Sequence, residues 1–354
     1  MRILYDYQFT YETVSGASRS YCEIANILKR NGNDVMFSFL FSNNIFLRDI
    51  HGLYRPLAKK YANTRYRRVA ERCAMTLRLL NRNYDIMHAT GELNYFKGII
   101  KTPVVGTIHD MIPENYMSNS DRIPRRIALL KNSERIVCVS NNTKKELLET
   151  YPWVDEKKID VVYHGIQQNY NKYSENIWGD YIFFVGQRHT YKNFQRTLKA
   201  LVPLFRKYKY LKMYCTGASF STEELNLINQ LALDNQIKNT GYIDNETLFS
   251  MYHHARLFVF PSIYEGFGIP ILEAFTNGCP ACISDSSCFP EIGGDAVAYF
   301  DPQSEDSILN TVTSVLESDT LAEKLRNLGL ERVKNFTWEK SANAMFDCYR
   351  KALL

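Results

Sequence analysis

Two carboxylates and two glycines crowd into residues 257–280, LFVFPSIYEGFGIPILEAFTNGCP. Glu265 leads into Gly266-Phe267-Gly268, and Glu273 follows with seven residues between the two acids. Glycines at the mouth of a helix let free backbone N–H groups meet an anion, above all a phosphate. A carboxylate beside such a site is better suited to sugar hydroxyls than to phosphate. These residue types fit a sugar joined to phosphate. They fit equally a buried strand–turn–helix unit with a tight turn and a capping Glu. A second cluster, Gly186-Gln-Arg188-His-Thr-Tyr-Lys192-Asn193, sets two cations four residues apart. Arg188 can engage phosphate oxygens bidentately, and Lys192 offers a compact charge. Either cation alone reads as a solvated loop residue; the order Gly, Arg, Lys-Asn between a strand and a helix favours an anion. Neither a Walker lysine motif nor a complete Gly-x-Gly-x-x-Gly is present, which argues against an NTPase or a nicotinamide enzyme.

The elements that must position these groups follow from apolar patterning. Residues 257–260 have strand length and composition. The chain breaks at Pro261-Ser262 and becomes helical from Pro270, with Ile271, Leu272, Ala274 and Phe275 as the apolar face. Proline at a first helical position removes an N–H that had no partner. Residues 181–185 form the strand before Gly186, and a helix runs on to about residue 208. Further strands are expected at 211–216, 237–243, 280–284 and 296–300. In the first half, strands are expected at 3–7, 35–41, 85–90, 103–110, 135–140 and 159–165, with helices at 18–30 and 61–80. Strand and helix alternating at this spacing mean crossover units, a parallel sheet and a Rossmann-like domain in each half. Residues 166–180 are polar and aperiodic and read as the linker.

Such sheets bind ligands beyond the carboxyl ends of their strands. The first half offers Asp6 and Tyr7, Ser15-Gly16-Ala17 opening a helix with Arg19 inside it, Thr90-Gly91-Glu92, His109-Asp110, Ser140 and His164-Gly165. A lone His at a strand end is usually structural. Asp110 would orient the imidazole or cap the next turn.

A chain of 354 residues has apolar material for two cores. Its eight cysteines are scattered, and Cys279 and Cys282 have no matching second pair, so a core role is expected rather than zinc. The pattern fits a reducing compartment. Met1 leads directly into a strand, so no signal peptide is expected, and no apolar run reaches the ~20 residues that span a bilayer. The net charge of +5 is uneven: residues 1–175 hold 26 basic and 18 acidic residues, the remainder 17 and 20. The basic excess peaks between Arg55 and Arg82, where nine basic residues face Glu71 alone, and a second basic segment runs from Arg122 to Lys131. Such segments read as membrane-surface helices, nucleic-acid patches or ordinary solvated faces.

The Glu–seven residues–Glu element inside PSIYEGFGIPILEA resembles the signature of retaining family-4 glycosyltransferases. Gly186, Arg188, Lys192 and Asn193 fall where that family binds the donor diphosphate. Val139-Ser140 is similar to its "VS" element, His164-Gly165-Ile166 stands in place of its usual Asn-Gly-Val, and Phe336-Thr337-Trp338-Glu339 opens a similar final helix. Ser15-Gly16 matches the family's Gly-Gly pair only in part. The resemblance implies the GT-B fold: two Rossmann-like domains with parallel sheets facing a central cleft, an acceptor domain over 1–166, a donor domain over 167–336, and a C-terminal helix, 337–354, crossing back. It implies a nucleotide-sugar donor with Arg188 and Lys192 on the diphosphate, backbone at Gly266, Phe267, Gly268 and Ile269 assisting, Glu273 on the ribose and Glu265 on the sugar. Gly16 would give room for close approach, and His109 would lie on the reacting side, with Tyr7, Asp110 and Ser140 toward the acceptor.

The likeness to bacterial polysaccharide mannosyltransferases implies mannose from GDP-mannose, passed to a saccharide or lipid-linked saccharide. A UDP-sugar is the alternative donor. No cofactor and no metal are expected. The alternatives to transfer are a sugar-nucleotide epimerase and a non-catalytic sugar-nucleotide binder. A glycosidase reading of the two acids is disfavoured because Glu273 lies on a helix after the phosphate loop. The basic segments are better explained by a cytoplasmic enzyme meeting its acceptor at the anionic inner face of the plasma membrane than by nucleic acid.

Overall fold

The apolar runs that mark strands are buried along their whole length, as in Ile86–Ala89, Val104–Ile108, Tyr181–Phe184 and Leu257–Phe260. Continuous burial means that helices cover both faces of each sheet. The computed structural model describes residues 1–11, 15–40, 42, 44–47, 65–81, 83–91, 100–117, 120–168, 173–188 and 190–354, with the side chains of 65, 66 and 68 outside that set. The chain divides into two compact units, Met1–Gly165 with Trp338–Leu354, and Ile166–Thr337.

In the first unit the described strands are β1 (Arg2–Tyr5), β2 (Asp34–Phe37), β3 (Ile86–Ala89), β4 (Val104–Ile108), β5 (Arg135–Cys138) and β6 (Ile159–Val161). All pairings are parallel, in the order β2-β1-β3-β4-β5-β6. The chain reverses its direction of travel across the sheet between β1 and β3. Helix Gly16–Arg30 starts at Ser15, whose hydroxyl accepts from the Ser18 N–H, and it packs Tyr21, Ile24, Ala25 and Leu28 into the core. The final helix, Trp338–Ala352, completes that core with Trp338, Met345, Cys348 and Tyr349. The Tyr349 hydroxyl lies 2.7 Å from that of Tyr5 and 2.6 Å from His88 Nδ1.

The second unit holds β7 (Tyr181–Phe184), β8 (Lys212–Thr216), β9 (Ile237–Gly241), β10 (Leu257–Phe260), β11 (Ala281–Ser284) and β12 (Ala298–Phe300). Their order is β12-β11-β10-β7-β8-β9, again all parallel. The reversal falls between β7 and β10, and open sheets of this kind leave a crevice at that place. Ile182, Phe184, Leu201, Phe205, Val259 and Val312 are part of its core. All eight cysteines are free, and Cys279 and Cys282 are buried. No helix among the described residues is long and apolar enough to cross a membrane.

Candidate functional site

The loops leaving β7 and β10 meet at the switch point of the second unit. Gly186 leaves β7 with φ 116, a backbone conformation that favours glycine. Lys192, at the end of a single 3₁₀ turn, reaches the carboxylate of Glu265 in the loop after β10. Both side chains are largely buried. Ser262 Oγ donates to the same Glu265 oxygen at 2.9 Å. The backbones are tied as well, with the Ile263 N–H donating to the Tyr191 carbonyl at 2.7 Å. Two residues 73 apart in sequence thus form one charged pair.

Gly268 caps the helix Ile269–Thr276 with φ 94, and no side chain caps that N-terminus. A Cβ at Gly268 would lie 3.1 Å from Ile271 Cδ1 and 3.2 Å from Phe289 Cε1, so packing and backbone both call for glycine. Phe267 is buried beside Phe336. Glu273, one turn into the helix, is only 8% exposed and accepts from the Tyr252 hydroxyl at 3.2 Å. Burial and the neighbouring Glu273 hold the Tyr252 phenol well above its ordinary pKa, so it remains a donor. Asn193 adopts a left-handed conformation and donates to the Pro302 carbonyl at 2.6 Å, fixing the start of the helix Phe194–Lys207.

Arg188 leaves the same loop as Lys192 and is held by partners of its own. Its side chain is 3% exposed and pairs with Glu224 at 2.9 Å. Nη2 donates to the carbonyls of Ala218 at 2.5 Å and Ser219 at 3.0 Å. The rings of Phe220 and Phe194 lie 4.8 and 5.6 Å from it. A cation buried beside aromatic rings needs a paired charge, and Glu224 supplies it. In this structure Arg188 ties the β7 loop to the helix Thr222–Gln230, and exposed Gln187 takes the next place beyond Gly186.

In the first unit, His109 ends β4 and its Nε2 lies 2.7 Å from the Tyr21 hydroxyl. Its ring stacks on His164 at 5.7 Å, and His164 Nδ1 meets Ser20 Oγ at 2.9 Å. Burial, followed by the charge of His109, lowers both His164 and His88 to about 3, so these two stay neutral. Asp110 caps the turn that follows β4, its carboxylate accepting from the Ile112 N–H at 3.0 Å. Ser140 is a fully buried N-cap, accepting from the Thr143 N–H at 3.0 Å. Tyr7 is buried edge-on against Tyr11. Of these three, Ser140 and Tyr7 are buried and Asp110 is half-buried. Gly16 is exposed at the start of its helix. Asp6, at the β1/β3 switch point, is fully buried and accepts from the Thr90 hydroxyl and N–H and from Gln8.

The description "Glycosyltransferase Family 4" matches residues 14–169, and "Glycosyl transferases group 1" matches residues 167–332. The chain belongs to the family-4 glycosyltransferases. Among relatives of this glycosyltransferase, O-antigen chain mannosyltransferase B of Escherichia coli is 32% identical over 49% of this chain and 46% of its own length. Serotype-specific mannosyltransferase WbdA of Escherichia coli is 23% identical over 91% of this chain and 44% of its own. The chain thus spans less than half the length of these two relatives. The structure of Anabaena Alr3699/HepE in complex with UDP and glucose superposes with a TM-score of 0.74 at 16% identity, covering 98% of each chain. The fold is the two-domain GT-B arrangement of Rossmann-like units.

Several residues that shape this glycosyltransferase's site carry no local sequence signal. Tyr252 reaches Glu273, Ser287 reaches the Glu265 backbone and Glu224 reaches Arg188, each from another element, and only the folded sheet brings them in. The basic segments also change character. Arg67 is buried, donating to the Thr10 carbonyl at 3.1 Å beside Glu71. Arg126 is buried against Glu114 at 2.7 Å. Residues 55–64 and 82 lie outside the described residues.

Proposed function

We propose that this chain moves a hexose, mannose from GDP-mannose, onto a saccharide or lipid-linked saccharide acceptor with retention of anomeric configuration. The observation that carries the reading is the meeting of Lys192, Glu265 and the uncapped N-terminus of helix Ile269–Thr276 at one switch point. A cation and a helix N-terminus match a diphosphate leaving group, whose growing charge they stabilise in the transition state. Glu265, beside them, takes the donor sugar. Glu273, with one oxygen held by Tyr252, takes the ribose hydroxyls. His109 serves the acceptor side in the first unit. With Lys192 and the helix meeting the diphosphate charge, no metal ion is required. The names of the mannosyltransferase relatives support the choice of sugar.

The acceptor is proposed to be met at an anionic membrane. The helix Arg65–Asn81 buries Met75 and Leu79 and turns Val69, Leu77 and Leu80 outward at 55, 68 and 58% exposure. Exposed Arg72 and Arg78 share that helix, which suits an interfacial helix on acidic lipid. Sedimentation with vesicles containing anionic lipid tests this, and binding unaltered in Leu77→Glu/Leu80→Glu would reject it.

The deciding experiment is a panel of nucleotide sugars with and without short mannose-containing acceptors, the product anomer being read by NMR. Transfer from GDP-mannose in the presence of EDTA is expected. Turnover with UDP-sugars alone overturns the donor assignment, an inverted product overturns retention, and a rate abolished by EDTA and restored by magnesium overturns metal independence.

A further inference from the structure

Ser287 has a left-handed backbone, φ 57, a conformation uncommon for a residue with a side chain and held by its surroundings. It lies between β11 and the short helix Phe289–Gly293. Its hydroxyl donates to the carbonyl of Glu265 at 2.6 Å and accepts from the Glu265 N–H at 3.3 Å. One side chain therefore holds both polar backbone groups of Glu265. The next residue, Cys288, is fully buried, with its sulfur 3.3 Å from the Glu265 carbonyl and 3.1 Å from that of Phe267. Burial and the nearby Glu265 and Glu291 raise the thiol well above its usual range, so it stays an S–H donor. The third residue, Phe289, stacks edge-on against Phe260 at 5.3 Å and backs Gly268. Three successive residues thus grip residues 265–268 from behind, while Lys192 and Ser262 hold the Glu265 carboxylate from the other side.

We propose that Ser287 is a positioning residue for donor-sugar recognition: its hydroxyl locks the backbone of Glu265 and so aims that carboxylate at the sugar. The inference rests on the reading of Glu265 as the sugar-contacting acid. The nucleotide and diphosphate fall to Lys192, the helix N-terminus and Glu273, none of which Ser287 contacts through its hydroxyl bonds to Glu265. Loss of the hydroxyl should therefore separate sugar binding from nucleotide binding. Threonine can restore the hydroxyl. Glycine removes it while accepting the positive φ, so Ser287→Gly tests the hydroxyl without backbone strain.

The test is calorimetric titration of GDP, UDP, GDP-mannose and UDP-glucose into wild type, Ser287→Ala, Ser287→Gly and Ser287→Thr. For whichever nucleotide sugar the wild type binds, Ser287→Ala and Ser287→Gly are expected to weaken it about tenfold, as for loss of one well-placed hydrogen bond. The matching nucleoside diphosphate should shift less than twofold, and Ser287→Thr should recover most of the loss. Equal weakening of sugar nucleotide and nucleoside diphosphate, or no weakening in Ser287→Gly, overturns the positioning role. A wild type that binds neither nucleotide sugar overturns the underlying reading of the site instead, and this inference with it.

Discussion

The ammonium of Lys192 rests on the carboxylate of Glu265, joining the loop after β7 to the loop after β10. On the proposed reading, a diphosphate arriving at this crevice would compete with Glu265 for the same cation. Release of Lys192 would then leave the Glu265 carboxylate to accept hydrogen bonds from the sugar hydroxyls. Lys192→Ala should lower turnover on the order of 100-fold, the size of loss seen when one preorganised donor to a developing charge is removed. It should also lower stability by about 1–3 kcal/mol, because Glu265 loses a partner while largely buried. Steady-state rates and urea unfolding measure the two effects separately, and an unchanged rate would remove Lys192 from the reaction.

Arg188 calls for the opposite outcome. Its removal takes the cation from largely buried Glu224, and breaking a buried pair from one side costs about 3–5 kcal/mol. Arg188→Ala should therefore shift the urea midpoint strongly. A variant as stable as wild type but slow in turnover would return Arg188 to the diphosphate.

Glu273→Gln keeps the shape of the side chain and removes its charge. The affinity for GDP or UDP should fall about tenfold, because hydrogen bonds to a charged acceptor exceed those to a neutral one. Circular dichroism should be unchanged. Equal nucleotide affinity in variant and wild type would exclude Glu273 from the ribose.

Acid should loosen the first unit through its buried histidines. His88 and His164 are lowered to about 3 from 6.5 in the folded chain. The unfolded chain then binds more protons below pH 6.5, so the stability these groups provide is complete above that pH. It is lost progressively as pH falls toward 3, at up to about 1.4 kcal/mol per pH unit for each group. Asp85, lowered by its bonds to Arg2, adds its own loss only in the carboxylate range. Urea midpoints should fall between pH 7 and pH 5, and a flat profile there would contradict neutral burial of both rings.

Gly268→Ala should be poorly tolerated. A side chain at φ 94 strains the backbone, and its Cβ meets both Ile271 and Phe289 at under 3.4 Å. Loss of about 1–3 kcal/mol is expected, with weaker nucleotide binding because the helix mouth moves. Thermal melts with and without GDP read both.

The alternation of short buried strands with helices was legible because a strand covered on both faces must be apolar throughout, as Leu257–Phe260 is. The glycine-flanked loop after it was legible for the same local reason: Gly268 must take a positive φ where the helix begins. Long-range pairing was not. Nothing near Arg188 marks Glu224, 36 residues away on another helix, as its partner. The same holds for Arg67 and Arg126, counted as surface charge and found inside. Asp110 and Ser140 occupy the strand ends where ligands bind, yet each serves the turn that follows it. Position along a strand is written locally; the direction of a long side chain is decided by what the other elements leave open.

The helix Trp338–Ala352 supplies Trp338, Ala342, Met345, Cys348, Tyr349 and Ala352 to a core whose other buried members lie within residues 3–162. Its consequence is temporal. During synthesis the second unit, residues 166–337, is uninterrupted and can fold as soon as it leaves the ribosome. The first unit, although made earlier, must wait with His88 and Tyr5 lacking the Tyr349 hydroxyl until residues 338–352 emerge. Of the two units, the one translated earlier is thus completed later, and truncations before residue 338 should leave a folded second unit attached to a first unit open to proteases.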